Sequence, residues 1–436
     1  MECDLIIRGG TVLPMTPGSG PIADGAVAVR GREIVEVGPA AEINATAPEV
    51  LDAGGGLIMP GMVNTHTHLA MTLLRGFADD LPLKTWLEEH IWPAERAIMN
   101  RDTVALGTRL AAAESILAGV TCVCDMYFFA DTITAALEEV GLRGVVPESL
   151  IDLATPACPT PDVALARQRE MLEQLADHPL VVPAVAPHSP YTVSAANLVK
   201  EAELAEEFEA PLIIHLAETR WELETIHQEK GVSPTVYLAE LGILSERTVA
   251  AHCVHMSEDD LALLAEFDVG VASNPVSNLK LASGLAPLPQ MLERGIKVSF
   301  GTDGAASNNT LDLLRDAQLA ALVYKGITGD PTVIPARTLV ELLTLGGARV
   351  LGLDHRIGTL EPGKLADVVC VGVDAPHATP VFDPFAHLAY AARASDVRHV
   401  VVDGRVVARD RTLRTLELAP LREEVLRVAA GVRGSR

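Results

Sequence analysis

A (β/α)8 TIM-like barrel with a small β-sandwich domain formed by both termini is the α/β architecture that three features of this sequence predict. Through the middle of the chain, eight short apolar runs alternate with Ala/Leu-rich amphipathic stretches, the pattern of parallel strands joined by helical crossovers. The two ends read differently, as β-branched runs broken by glycine-containing turns. The chain has 436 residues, room for one large barrel and a satellite. Hydrophobic residues make up 49% and charged residues 21%, enough apolar surface for a sizeable core, which excludes disorder as the dominant state.

Taken in order, N-terminal strands are expected at residues 5–7, 26–29 and 33–37, separated by Gly9-Gly10, Asp24-Gly25 and Arg30-Gly31. Barrel strands are expected at 58–65, 121–126, 144–150, 181–187, 212–216, 248–253, 270–273 and 297–301. Helical stretches fall between them, for example at 101–118, 195–208, 257–267 and 285–294. Residues 366–373, 399–402 and 405–408 return to strand character, and Asp403-Gly404 marks a hairpin. The expected division is therefore 1–56 and 357–436 for the small β domain, with 57–356 for the barrel.

Composition narrows the function classes. The formal net charge of −24 repels phosphate backbones, so nucleic acid is not an expected partner. Six cysteines are too sparse for a disulfide framework and suit a reducing cytoplasm. Cys122-Val-Cys124 lacks the second pair that a zinc site of that type needs, and reads as buried strand thiols. The first residues are acidic where a secretory signal requires basic ones. No apolar run reaches the roughly 18 residues of a membrane span, so no membrane partner is expected. A homo-oligomer is left open.

Four polar clusters fall at the carboxyl ends of predicted barrel strands, where such folds build active sites. His66-Thr67-His68 follows the first. Residues i and i+2 of a strand share a face, so both imidazoles can converge on one cation. His215-Leu-Ala-Glu218 ends the fifth, offering a third imidazole and a carboxylate placed to shuttle protons. His252-Cys-Val-His255 follows the sixth; of the two, His252 is expected in the mouth and His255 in the loop. Phe300-Gly-Thr-Asp303-Gly-Ala-Ala-Ser307 follows the eighth and supplies a carboxylate. Each cluster alone has a plain structural reading, as a core histidine, a solvent glutamate or a turn aspartate. Together they make a mononuclear site of three histidines and one aspartate, with positions open for water.

At these residues the sequence resembles the amidohydrolase superfamily, and within it the 5-methylthioadenosine/S-adenosylhomocysteine deaminases. The resemblance covers nearly the whole chain. It runs through Pro60-Gly-Met-Val-Asn-Thr-His-Thr-His, Arg75-Gly-Phe-Ala-Asp-Asp-Leu-Pro-Leu and Trp86-Leu-Glu-Glu-His-Ile-Trp-Pro-Ala-Glu95. It continues through Ser277-Asn-Leu-Lys-Leu-Ala-Ser-Gly and Gly301-Thr-Asp-Gly-Ala-Ala-Ser-Asn-Asn, and closes with Ile357-Gly-Thr-Leu-Glu-Pro-Gly-Lys-Leu-Ala-Asp. Binuclear relatives need a bridging lysine near the fourth strand; Pro187-His188-Ser-Pro-Tyr has none, so one divalent metal, expected to be Zn2+, is implied. Iron and manganese are not separated from zinc by the residues.

The resemblance implies His66, His68, His215 and Asp303 as metal ligands, with Glu218, His252 and Asp303 as catalytic groups. Glu95 matches a position that binds ribose hydroxyls, His188 one near the sugar, and Ser307 one near the base; Glu218 and Asp303 also touch substrate. The implied reaction is hydrolytic deamination at C6 of an adenosine-type nucleoside, 5′-methylthioadenosine or S-adenosylhomocysteine, with release of ammonia. The alternatives are hydrolysis of another aminated or halogenated heterocycle, such as a triazine, a pterin or a free nucleobase, and a barrel scaffold without catalysis. One departure stands out. Many relatives carry arginine just past the third strand to meet the homocysteine carboxylate; here Glu148 is expected to stand there and to disfavour S-adenosylhomocysteine relative to 5′-methylthioadenosine, a gap that Glu148→Arg would narrow.

Overall fold

The computed structural model describes residues 1–434 and holds two sheets. The first is built from both ends of the chain. Its N-terminal strands are β1 (Leu5–Val12), β2 (Ile22–Arg30), β3 (Glu33–Pro39), β4 (Glu49–Asp52) and β5 (Leu57–Pro60). The barrel follows as β6 (Met62–Thr67), β7 (Val120–Asp125), β8 (Arg143–Leu150), β9 (Val181–Pro187), β10 (Leu212–Leu216), β11 (Thr248–His252), β12 (Gly270–Ser273) and β13 (Lys297–Phe300). The chain then returns to the first sheet with β14 (Val368–Val371), β15 (Val397–Val402), β16 (Arg405–Arg409) and β17 (Thr412–Leu413).

The small sheet is mixed, ordered β17-β16-β15-β14-β5-β1-β2-β3 with β4 beside β1. It folds back on itself, because the Ile34 N–H donates to the Lys364 carbonyl (2.8 Å) and the Ala366 N–H to that of Arg32 (2.8 Å). Leu5, Ile7, Val27, Ile34, Val368 and Val401 fill the space between its two halves. That closure gives a nine-stranded unit the cross-section of a sandwich.

The eight barrel strands run parallel in chain order, and nearly every residue in them is buried. Such strands are covered on both faces, which is why their sequences read as continuous apolar runs. The ring closes where β13 meets β6. Asp303 N–H donates to the His66 carbonyl (3.0 Å), and Asn64 bridges to Thr302 through its Oδ1 (3.0 Å) and Nδ2 (2.8 Å). A Cβ at Gly301 would lie 2.8 Å from the His66 backbone N, so only glycine lets the two strand ends approach this closely. This closure sets His66, His68 and Asp303 side by side.

The expected first barrel strand at 58–65 is in fact two strands. β5 pairs with β1 and β14 in the small sheet, and β6 enters the barrel beside β7. Gly61 is the crossing point, where a Cβ would sit 1.9 Å from Thr121 Oγ1. β4, β17 and the helix Leu418–Gly434 were not expected; the first two are too short to show a period.

A buried ion cluster ties the barrel to the small sheet. Arg143, on β8, donates to both oxygens of Asp367 (2.8 and 3.0 Å) and to Asp403 Oδ1 (3.0 Å). Removing one partner leaves uncompensated buried charge, so Arg143→Ala should cost about 3–5 kcal/mol in urea unfolding. The exposed Arg169–Glu207 pair gives the contrast: Arg169→Ala should leave the urea midpoint close to that of the parent. Equal midpoints for the two variants would refute the assignment.

Candidate metal centre and active site

Three histidines and an aspartate converge at the carboxyl end of the barrel. His66 and His68 leave β6 on one face, His215 stands on β10, and Asp303 follows β13. Asp303 Oδ1 lies 3.2 Å from His68 Nε2 and 3.7 Å from His66 Nε2. His215 Nε2 lies 3.4 Å from His68 Nε2, and the His66 and His215 rings are 4.9 Å apart between centroids. Ligand atoms of His66, His68 and Asp303, and separately of His66, His215 and His252, fall within 4.8 Å of one another. These separations suit a single cation at the centre.

The hydrogen bonds behind the imidazoles decide which nitrogen faces inward. His68 Nδ1 lies 2.5 Å from the Met126 carbonyl and His215 Nδ1 2.7 Å from that of His188. A carbonyl only accepts, so Nδ1 carries the proton in both rings and Nε2 presents its lone pair to the centre. Both nitrogens of His66 are buried without a hydrogen-bond partner. A buried imidazole left so is costly unless a cation takes it. Burial pulls His68 down, yet its bond to Asp303 outweighs this and raises it to about 9, so Nε2 holds a proton there that a bound metal would displace to take the lone pair. Burial works against the Asp303 anion, but His68 and its neighbours hold that carboxyl well below the usual range. The centre favours positive charge, and its donor set fits a borderline divalent metal.

Asp303 is held from three more sides. Its Oδ2 accepts from Ser277 (2.6 Å) and Ser307 (2.8 Å), and its Oδ1 from the Gly304 N–H (2.8 Å). Ser277 escaped the sequence reading, although Ser277-Asn278 lies in one of the quoted motifs. Asn278 escaped it too: its Oδ1 accepts from His252 Nδ1 (2.8 Å), which leaves His252 Nε2 toward the mouth. Glu218 Oε2 stands 3.9 Å from that nitrogen. Burial pushes the Glu218 carboxyl upward, toward the protonated form. Ala217, His252 and Asp303 all adopt positive φ (50°, 72° and 61°), so the backbone turns sharply as each strand ends, where Glu218, His252 and Asp303 line the mouth.

An amidohydrolase family model matches residues 57–407, most of the chain and the whole of this centre. The chain belongs to the amidohydrolase family. A 5-methylthioadenosine/S-adenosylhomocysteine deaminase of Syntrophobacter fumaroxidans is 45% identical to this amidohydrolase, over 99% of both chains. A 5′-deoxyadenosine deaminase of Methanothermobacter thermautotrophicus is 44% identical, over 89% of this chain and 91% of the relative. Among solved structures, an adenosine deaminase of Xanthomonas campestris with bound zinc superposes with a TM-score of 0.97 at 39% identity, over 99% of both chains.

In this amidohydrolase a cavity of about 660 Å³ lies over the centre and reaches Glu95, His188 and Ser307. Glu95 projects from the helix Trp92–Ile98 and accepts a 2.5 Å hydrogen bond from Tyr127. Burial raises its carboxyl to about 7, against the pull of that bond. His188 follows β9, with Nδ1 3.0 Å from Thr192 Oγ1, and burial lowers it to about 3, so it is neutral. Ser307 lines the cavity but spends its hydroxyl on Asp303 and Gly304, so it supports that carboxylate from behind.

Glu148 is the clear correction. Its carboxylate accepts the N–H groups of Phe129 (3.2 Å) and Ala130 (2.8 Å), at the start of the helix Ala130–Val140. Alternation along β8 turns Ser149 toward the cavity and Glu148 away from it. It cannot repel a substrate tail, and an arginine in its place would stand behind β8, away from the cavity, and would not narrow the gap.

Proposed function

We propose that this amidohydrolase removes the 6-amino group of adenosine-type 5′-thionucleosides, such as 5′-methylthioadenosine and S-adenosylhomocysteine, by hydrolysis. One observation carries the reading: the buried carboxyl of Glu218 and an inward-facing His252 stand beside the three-histidine, one-aspartate centre, within one cavity that also holds the carboxylate of Glu95. His66, His68, His215 and Asp303 would hold one divalent metal, zinc by analogy with the zinc-bound neighbour. When bound there, the metal supplies a water ionised near neutral pH.

The chain's own groups do the remaining work. His252 Nε2 orients the attacking oxygen toward C6. Glu218, protonated as that water ionises, donates to N1 so that the ring accepts electrons while C6 becomes tetrahedral. Asp303 takes the remaining hydroxyl proton and hands it to the 6-amino group. Ammonia departs, leaving C6=O and N1–H. The two water protons are thereby accounted for. Six buried, unpaired thiols suit a reducing, cytoplasmic setting. Among the described residues no helix is long and apolar enough to cross a membrane.

The test is a panel assayed for ammonia: 5′-methylthioadenosine, adenosine, free adenine, a pterin and a triazine. Release from the nucleosides well above the others supports the reading; release from the triazine, pterin or free base alone overturns it. Glu95 supplies a finer check. As a carboxylate it can accept from two ribose hydroxyls, so Glu95→Ala should raise KM for ribosides by about 10–100-fold, the weight of a charged hydrogen bond. Because its carboxyl titrates near 7, protonation below that pH removes acceptor capacity, and riboside KM should rise as pH falls through it. A KM that stays flat between pH 6 and 8 would contradict this role.

A further inference from the structure

The metal cavity opens into a wider vestibule of about 1630 Å³, with Leu83, Leu87, Trp92, Tyr191 and Leu281 common to both walls. A nucleoside held with C6 at the metal and its ribose at Glu95 has this vestibule as the next open space. Its far wall carries Trp221, 40% exposed, whose ring meets Tyr191 edge-on at 5.1 Å. Lys84 lies over the Trp221 ring at 5.1 Å, and Arg220 is the adjacent residue. Among the described residues neither Lys84 nor Arg220 forms an ion pair with a carboxylate of the chain. Lys280, the third cation of the vestibule, is by contrast spent on Asp79 (2.6 Å) and Asn309 (2.5 Å).

Building on the nucleoside reading, we propose that Arg220 and Lys84 determine specificity for the 5′-substituent, binding the carboxylate of a thioether-linked tail in the vestibule. The apolar walls at Leu83, Leu87 and Leu281 suit the methylene and sulfur segment, and the ring of Trp221 forms a platform beside it. A guanidinium meets a carboxylate through two parallel hydrogen bonds, and the Lys84 ammonium adds charge without a fixed geometry. Arg220 follows β10 and Lys84 lies in the connection after β6, so the two cations reach the vestibule from different strands of the mouth. An uncharged methylthio group needs only the apolar part. An amino-acid tail needs the rim.

The experiment compares kcat/KM for S-adenosylhomocysteine, 5′-methylthioadenosine and 5′-(3-aminopropylthio)adenosine, whose tail lacks a carboxylate. In Arg220→Ala the ratio of S-adenosylhomocysteine to 5′-methylthioadenosine should fall at least tenfold, mostly through KM, and in Lys84→Ala by a smaller factor. The ratio of the aminopropyl compound to 5′-methylthioadenosine should not fall in either variant. Arg220→Lys should keep a ratio between those of the parent and Arg220→Ala. A ratio within twofold of the parent in both alanine variants overturns the proposal, as does an equal fall for the aminopropyl compound. If no nucleoside is deaminated by the parent, the reading of the whole site fails instead, and the two failures are distinguishable.

Discussion

Glu218→Gln is expected to lower kcat at least about a thousandfold, near 4 kcal/mol of barrier, while leaving metal content and KM close to the parent. The amide keeps the size of the carboxyl and cannot carry a proton from water to the ring. Its surroundings single it out for that task. Burial pushes the Glu218 carboxyl upward, and its Oε2 stands 3.9 Å from His252 Nε2 at the mouth, where a proton can pass between water and ring. Its backbone N–H and that of Ala217 are held by the Glu222 carboxylate (2.9 and 2.8 Å), which fixes the turn that aims it. A kcat within tenfold of the parent would remove Glu218 from the proton path.

His66→Ala carries the second large effect, this time on stability as well as rate. In the metal-free chain both His66 ring nitrogens are buried and unpaired, a penalty of about 1–3 kcal/mol for each group. A metal at a thousand times its Kd stabilises the fold by about 4 kcal/mol. Chelation should therefore lower the Tm of the parent by several degrees and abolish activity. His66→Ala should lack metal, lack activity, and show a Tm that no longer responds to chelator. A full equivalent of tightly held metal in His66→Ala would contradict the ligand assignment.

The catalytic end of the barrel was legible in the sequence because its polar residues interrupt apolar runs. His66, His215, His252 and Asp303 each follow a stretch that would otherwise read as buried strand, and the interruption marks the mouth. Facing direction within those stretches was not legible. Glu148 illustrates the reason: a parallel barrel strand is covered on both sides, so no alternation of polarity shows which face it presents. The β5–β6 break at Gly61 was hidden in the same way, since both halves are apolar and only the Gly61–Thr121 contact separates them. Ser277 and Asn278 act on Asp303 and His252 from a short helix, Pro275–Lys280, after β12. Their roles arise from tertiary approach across the mouth, which local pattern does not encode.

The central claim, one metal serving nucleoside deamination, meets its most direct test in a titration. Metal-stripped protein receives zinc in fractions of an equivalent, and ammonia release from 5′-methylthioadenosine is followed at each point. Activity should rise linearly and break at one equivalent per chain, with ammonia and the inosine-type product formed one for one. Full activity before any metal is added, a break at two equivalents, or no ammonia from the nucleoside at any loading would contradict it.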